Sequence, residues 1–199
     1  MEKFLSLPID KQKRIVDAAF SVFGNNTYKK ASTADIAAAA GISKGMVFHY
    51  FGSKKELYLY LLSLCGKILF EEHEKNIDKT ATDFFDRIKM ASQIKITALK
   101  KHPHILAFIR NVHTETDSEV TCEIKNIFSS VSANSWDTIF DGVDFIRFKN
   151  PNAPELLLKL LVWAGVGMAD NRLDEKEMDE NLDVFVRCLD LMKENFYYL

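Results

Sequence analysis

The sequence is poor in the residues that punctuate turns, with 8 glycines and 4 prolines among 199 residues. An all-β chain needs a turn signal about every 8–12 residues, so this scarcity favours helix. No apolar run reaches the roughly 18 residues of a membrane-spanning helix, and Met1-Glu2-Lys3-Phe4-Leu5 lacks the apolar core of a secretory signal. Cysteine is scarce too. Cys65, Cys122 and Cys188 are far apart and odd in number, which gives neither a disulfide framework nor a zinc site and predicts three reduced, buried thiols in a cytoplasmic protein. Catalytic signatures are missing: no phosphate-cradling glycine loop, no His-Glu-x-x-His, no serine between glycines at an elbow. His102 and His104 flank Pro103 and should diverge, and His113 has no acid or cysteine at ligand spacing. No enzyme activity, metal or other cofactor is expected.

What remains is helical pattern and an uneven charge. The net charge is −2, but residues 1–60 hold nine Lys/Arg against five Asp/Glu, leaving +4 there and −6 beyond. A basic head on an acidic body suits a polyanionic partner. Ile15, Val16, Ala19, Phe20 and Phe23 mark a helix over about 10–24. Further helices are expected from Ser32, from Lys44 to Tyr50, and from Lys54 to about Ile77, with Ser32, Ser43 and Ser53 as caps. Beyond these lie helices at about 82–101, 103–114, 118–141, 154–171 and 175–197, about nine in all. Pro103 and Pro154 sit at helix starts, and 141–154 is the longest non-helical stretch. The helix from Lys54 begins in the head and ends in the body, so it should couple them.

The segment Thr33–Leu57, TADIAAAAGISKGMVFHYFGSKKEL, reads as two short helices joined through Gly41, a helix-turn-helix. Ala37 and Ala40 would let the two helices cross closely over a core of Ile15, Phe20, Phe23, Val47 and Phe51. The helix from Lys44 is about 10 Å long and fits a major groove about 12 Å wide. Burying Val47 and Phe51 turns Lys44, Gly45, Met46, Phe48 and His49 outward as the base-facing set. Ser32, Thr33, Tyr50, Ser53 and Lys54 are the candidates for phosphate, by side-chain chemistry or by unpaired N–H groups at a helix start.

These residues resemble the TetR family of bacterial transcriptional repressors. The likeness is carried by IAAAAGISKGMVFHYFGSKKEL (Ile36–Leu57), preceded by IVDAAFSVFGNN (Ile15–Asn26) and Thr33, and is strong over about residues 10–60. The family often has Tyr at the position of Phe48 and Thr or Asn at that of Met46, so Phe48 is expected to pack on sugar or base and Met46 to read bases through apolar contact. The resemblance implies an all-α fold with a three-helix helix-turn-helix domain at 1–53 and a helical ligand-binding and dimerisation domain at 54–199. It also implies a homodimeric repressor on a palindromic double-stranded operator, released by a small-molecule inducer.

Aromatic supply suggests an inducer pocket lined by Phe84, Phe108, Asn111, His113, Phe128, Trp136, Phe140 and Trp163, suited to an apolar or amphipathic compound. Asn134 and Asp170 are further polar candidates. Leu157, Leu161, Ala164, Phe185 and Leu189 on the last two helices are the candidate dimer seam. Two other readings compete: an architectural or partner-binding helix-turn-helix protein without a ligand, and an all-helical enzyme whose basic head is incidental.

Overall fold

The computed structural model describes residues 1–169 and 175–198, except for the side chains of 130–138, 165–169 and 175. Ten α-helices are described: α1 Glu2–Leu5, α2 Ile9–Asn25, α3 Thr33–Ala40, α4 Lys44–Phe51, α5 Lys54–Asn76, α6 Phe84–Lys101, α7 Pro103–His113, α8 Thr121–Ile139, α9 Ala153–Ala169 and α10 Glu175–Phe196. Among the described residues no strand forms; only the isolated bridges Asp83–Asp144 and Phe148–Tyr197 do. α1 is the helix that periodicity does not reveal, because four residues are too few to show a period.

The chain divides into two compact units. The first holds Met1–Ile68 and His102–Val131, the second Leu69–Lys101 and Ser132–Leu199. The 53/54 boundary expected from sequence therefore falls inside the first unit. The first half of α5 buries Leu57, Tyr58, Leu61, Leu62 and Cys65 there, and α7 packs along α2.

In the first unit the core joins Ile15, Phe20 and Phe23 of α2, Ile36, Ala37 and Ala40 of α3, Val47 and Phe51 of α4, and Phe108 of α7. Its aromatic centre has Tyr58 edge-on to Phe23 at 5.0 Å and to Phe108 at 5.1 Å. α2 and α7 come so close that a methyl group on Gly24 would lie 3.0 Å from Ala107 Cβ and 3.2 Å from the Phe108 amide nitrogen. Burial pushes the Cys65 thiol up to about 12, so this thiol is the inert hydrophobe expected. Cys122 and Cys188 are exposed, contrary to that expectation: each lies on an outward helix face.

In the second unit Phe84, Phe85 and Ile88 of α6 meet Phe148, Leu157 and Leu161, with Leu189 and Tyr197 completing the cluster. The non-helical stretch before α9 is held by backbone bonds from Asp144 N–H to Thr82 O (2.9 Å), Lys149 N–H to Phe196 O (2.9 Å) and Tyr198 N–H to Arg147 O (3.0 Å). Arg87 is wholly buried and donates to the carbonyls of Ala81 (2.8 Å), Lys79 (3.1 Å) and Ile139 (3.3 Å). The Ile139 oxygen belongs to the last turn of α8, where unpaired carbonyls favour a cation.

Candidate nucleic-acid interface

The turn between α3 and α4 is set by Gly41, which adopts φ +64° and ψ +39°, a conformation that glycine takes without a Cβ penalty. The Ile42 N–H then closes back on the Ala37 carbonyl at 3.0 Å. Buried Ala37 and Ala40 line the crossing, and Arg14 Nε donates to the Ala40 carbonyl at 2.9 Å, tying the end of α3 to α2.

α4 has two distinct faces. Val47, Tyr50 and Phe51 are buried at the i, i+3, i+4 spacing of one side. Lys44, Gly45, Phe48 and His49 are exposed, and Met46 is half-buried. Phe48, 40% exposed, is a large apolar ring left in water. Eight residues at 1.5 Å each make a rod of about 12 Å.

The candidate phosphate groups behave less uniformly. The Ser32 hydroxyl caps α3, accepting from Ala34 N–H at 3.1 Å, and Ser53 accepts from Glu56 N–H at 3.0 Å. Ser43 stands at the N-cap of α4 but makes no side-chain cap bond there, contrary to expectation. Thr33 is buried, so only its backbone remains as a contact. Tyr50 is corrected from phosphate ligand to core residue: its ring is buried beside Phe4 at 6.3 Å. Lys54 is also committed internally. Its ammonium donates to the carbonyls of Tyr28 (2.9 Å) and Ala31 (3.3 Å) and lies 4.3 Å from the centre of the Tyr28 ring, which pins the loop leading into α3. The neighbouring Lys55 pairs with Glu123. Lys29 and Lys30, which the sequence reading counted only as charge, are exposed in that loop two and three residues before Ser32. Their signal is a pair of cations just ahead of an N-cap.

The residues named for the inducer pocket are divided between the two units. Phe108 is buried in the core of the first unit. Asn111 is a latch there, its side-chain amide donating to the carbonyls of Phe23 (2.8 Å), Gly24 (2.9 Å) and Asn26 (3.2 Å). His113 and Phe128 stack at 5.1 Å, also in the first unit. Phe84 and Phe140 stack at 5.1 Å within the second. Trp163 is 71% exposed. The Trp136 side chain, with Asn134 and Asp170, lies outside the described residues. Composition identifies aromatics but not the unit each one joins.

The residues named for the dimer seam divide between the core of the second unit and its surface. Leu157, Leu161 and Leu189 are buried in the core of the second unit, with Phe185 packed against it. Ala164 is exposed. Outward apolar positions include Leu156, Leu160, Val162 and Trp163 on α9 and Val184, Leu191 and Phe196 on α10. On α9 a core stripe and an exposed stripe run side by side, and a hydrophobic pattern this wide does not say which is which.

A family model described as "Bacterial regulatory proteins, tetR family" matches residues 15–61, the span that builds α2 to α4 and the start of α5. Over that span the chain matches the TetR family. Among curated proteins, the HTH-type transcriptional regulator BetI of Rhizobium meliloti is 39% identical over 59 residues, 29% of each chain. The fatty acid metabolism regulator protein of Bacillus subtilis is 29% identical over 115 residues, 55% of each chain. The alignments thus span from under a third to just over half of those relatives' lengths. A TetR family transcriptional regulator from Chloroflexus aurantiacus has a solved structure that covers 100% of this chain and 99% of its own, with TM-score 0.66 at 20% identity. That likeness extends the TetR-type all-helical fold beyond the matched head.

Among the described residues no helix is long and apolar enough to cross a membrane. Among the described residues no cluster of three or more His, Cys, Asp or Glu is placed to hold a metal ion.

Proposed function

We propose that the chain is a sequence-specific DNA-binding transcriptional repressor. α4 enters the major groove and reads bases with Lys44, Gly45, Met46, Phe48 and His49. The observation that carries this reading is the division of α4 into a buried face and an exposed face bearing Lys44, Phe48 and His49. An exposed ring on a short helix is unfavourable in water, and thymine methyls or sugar edges would cover it. Phosphates are held by Lys44, Lys29, Lys30 and the N-terminal amides of α3 and α4, with Ser43 free to join them. These contacts supply salt-dependent affinity, while the base-facing set supplies preference.

The working form is a homodimer. The outward stripes Leu156, Leu160, Trp163, Val184 and Leu191 support a seam built from α9 and α10 of two copies, since contiguous exposed apolar surface marks an interface. A dimer places two α4 helices on a palindrome with half-sites about 34 Å apart or a multiple of that. A small molecule bound in the second unit then shifts the population away from the DNA-competent spacing through α5, which belongs to both units.

Selection of bound DNA from a random pool, using the full chain, tests this. A palindrome should emerge, and Met46→Ala or His49→Ala should change its bases. Failure to enrich any sequence would refute the reading; enrichment of a single half-site would remove the dimer from it.

A further inference from the structure

The loop between α2 and α3 carries two of the proposed phosphate contacts, and an acid holds it in place. Lys29 and Lys30 are exposed there, while Tyr28 and Ala31 on either side of them are buried. The loop closes one turn on itself, with the N–H groups of Lys30 and Ala31 donating to the Thr27 carbonyl at 3.1 and 3.0 Å. Two further anchors come from elsewhere in the first unit. Lys54 of α5 donates to the carbonyls of Tyr28 and Ala31. The Tyr28 N–H donates to Glu115 Oε2 at 2.6 Å, and Glu115 lies 87 positions later, in the turn between α7 and α8.

Glu115 is fixed on its other side as well. Its Oε1 accepts the N–H groups of Thr116 at 3.0 Å and Asp117 at 2.9 Å. One carboxylate thus joins the α7–α8 turn to the backbone of the residue just before Lys29, and a hydrogen bond from N–H to a carboxylate is stronger than one between neutral groups. For a nucleic-acid interface, however, its charge has the wrong sign. A carboxylate bonded to the residue next to Lys29, in a turn that also holds Asp117 and Glu119, repels the phosphates that Lys29 and Lys30 are to meet.

We infer that Glu115 is a positioning residue for the DNA backbone contacts. It acts through the loop. With the Tyr28 N–H held, Lys29 and Lys30 extend from a backbone that is already ordered, and binding does not have to order it. This deepens the DNA half of the proposed function and rests on it.

The test uses the full chain at one salt concentration and two duplexes of equal length, the operator recovered from the random pool and an unrelated sequence. Freeing the backbone of about one residue, to be ordered again on binding, weakens affinity by about 10-fold. Glu115→Ala should lose that factor on both duplexes, because phosphate contacts carry no sequence information. Asp117→Asn removes the same charge from the same turn and keeps an oxygen for the Glu119 N–H that Asp117 accepts; it should weaken neither. In a Lys29→Ala/Lys30→Ala background, Glu115→Ala should change affinity by less than about twofold, an outcome that general loosening of the head would not give. Circular dichroism checks that each variant is folded at the assay temperature. If Glu115→Ala is not, Glu115→Gln takes its place. It has one acceptor oxygen left for N–H groups on two sides, and its expected loss is about threefold with the same dependence on the lysines. Binding by the Glu115 variant as tight as the parent's, an equal loss in Asp117→Asn, or an undiminished loss in the double-lysine background would overturn the inference. A pool selection that enriches no sequence, beside a lysine-dependent loss on the unrelated duplex, would instead refute the sequence-specific reading and leave the role of Glu115 standing.

Discussion

Phe4→Ala tests whether the four-residue helix α1 is part of the support for the reading helix. Phe4 is completely buried, and its ring centre lies 4.7 Å from Phe51, 5.6 Å from Tyr60 and 6.3 Å from Tyr50. Phe51 and Tyr50 are inner-face residues of α4, so the ring seals the side of α4 opposite the proposed bases. A rigid core losing a Phe side chain costs about 3–5 kcal/mol, including the cavity. α1 is far too short to persist alone, so it would undock rather than enclose a void. The cost then approaches the transfer of one ring to water, about 1.5–3 kcal/mol. The expected loss is about 2–3 kcal/mol, read as a fall in the urea midpoint of the first unit and as faster amide exchange along α4. Phe48→Ala is the matched control: the same ring removed from the exposed face should change stability by less than about 0.5 kcal/mol. If the two variants were equally stable, the argument that α1 holds α4 in place would fail.

Asn111→Ala removes an amide that serves three carbonyls at the end of α2. With only two hydrogens to give, its loss should cost about 2–3 kcal/mol, seen as a lower melting temperature, and an unchanged melt would contradict the latch. Lys44→Ala should flatten the plot of log affinity against log salt by about one unit at nearly unchanged stability. Lys54→Ala should do the reverse, destabilising the loop from Tyr28 to Ala31 while leaving the slope close to that of the parent; an exchange of these two phenotypes would return Lys54 to the phosphates. Burial lowers the pKa of His73 from its ordinary 6.5, so the folded chain keeps it neutral where the unfolded chain gains a proton. Stability should therefore decline as pH falls below about 6.5 towards the folded pKa. His73→Gln should show a shallower decline in urea midpoints between pH 7 and pH 5, and an identical decline would assign the effect to other groups.

The sequence was informative where one residue had one task. Gly41 at a left-handed turn, alanines at a helix crossing and proline at the start of α7 each admit few alternatives, so the helices and the exposed set on α4 could be read directly. Polar and aromatic residues of the long helices were not legible in this way. Asn111 suits a ligand or a carbonyl latch equally well by chemistry, and only the fold places it at the end of α2. Tyr50 and Lys54 carry groups that bind phosphate, yet their surroundings take up those groups first. Phe4 was missed because nothing local marks it: its importance comes from rings some 46 to 56 positions later in the chain.

Tethers to the head explain why its compact unit does not end where the helix-turn-helix motif ends. Glu115 accepts the Tyr28 N–H at 2.6 Å, Asn111 holds the end of α2, Lys55 pairs with Glu123, and Phe108 enters the ring cluster with Phe20 and Phe23. Each joins α7, α8 or the turn between them to α2, the loop after it or the start of α5. A three-helix motif of about fifty residues buries little apolar surface and is marginal alone. Packing α7 along α2 completes its core, and the same packing makes the C-terminal end of α2 sensitive to any displacement of α7. Stability and responsiveness of the head therefore draw on the same contacts: substitutions at Gly24 or Asn111, although they touch no base, should alter how firmly α4 is presented.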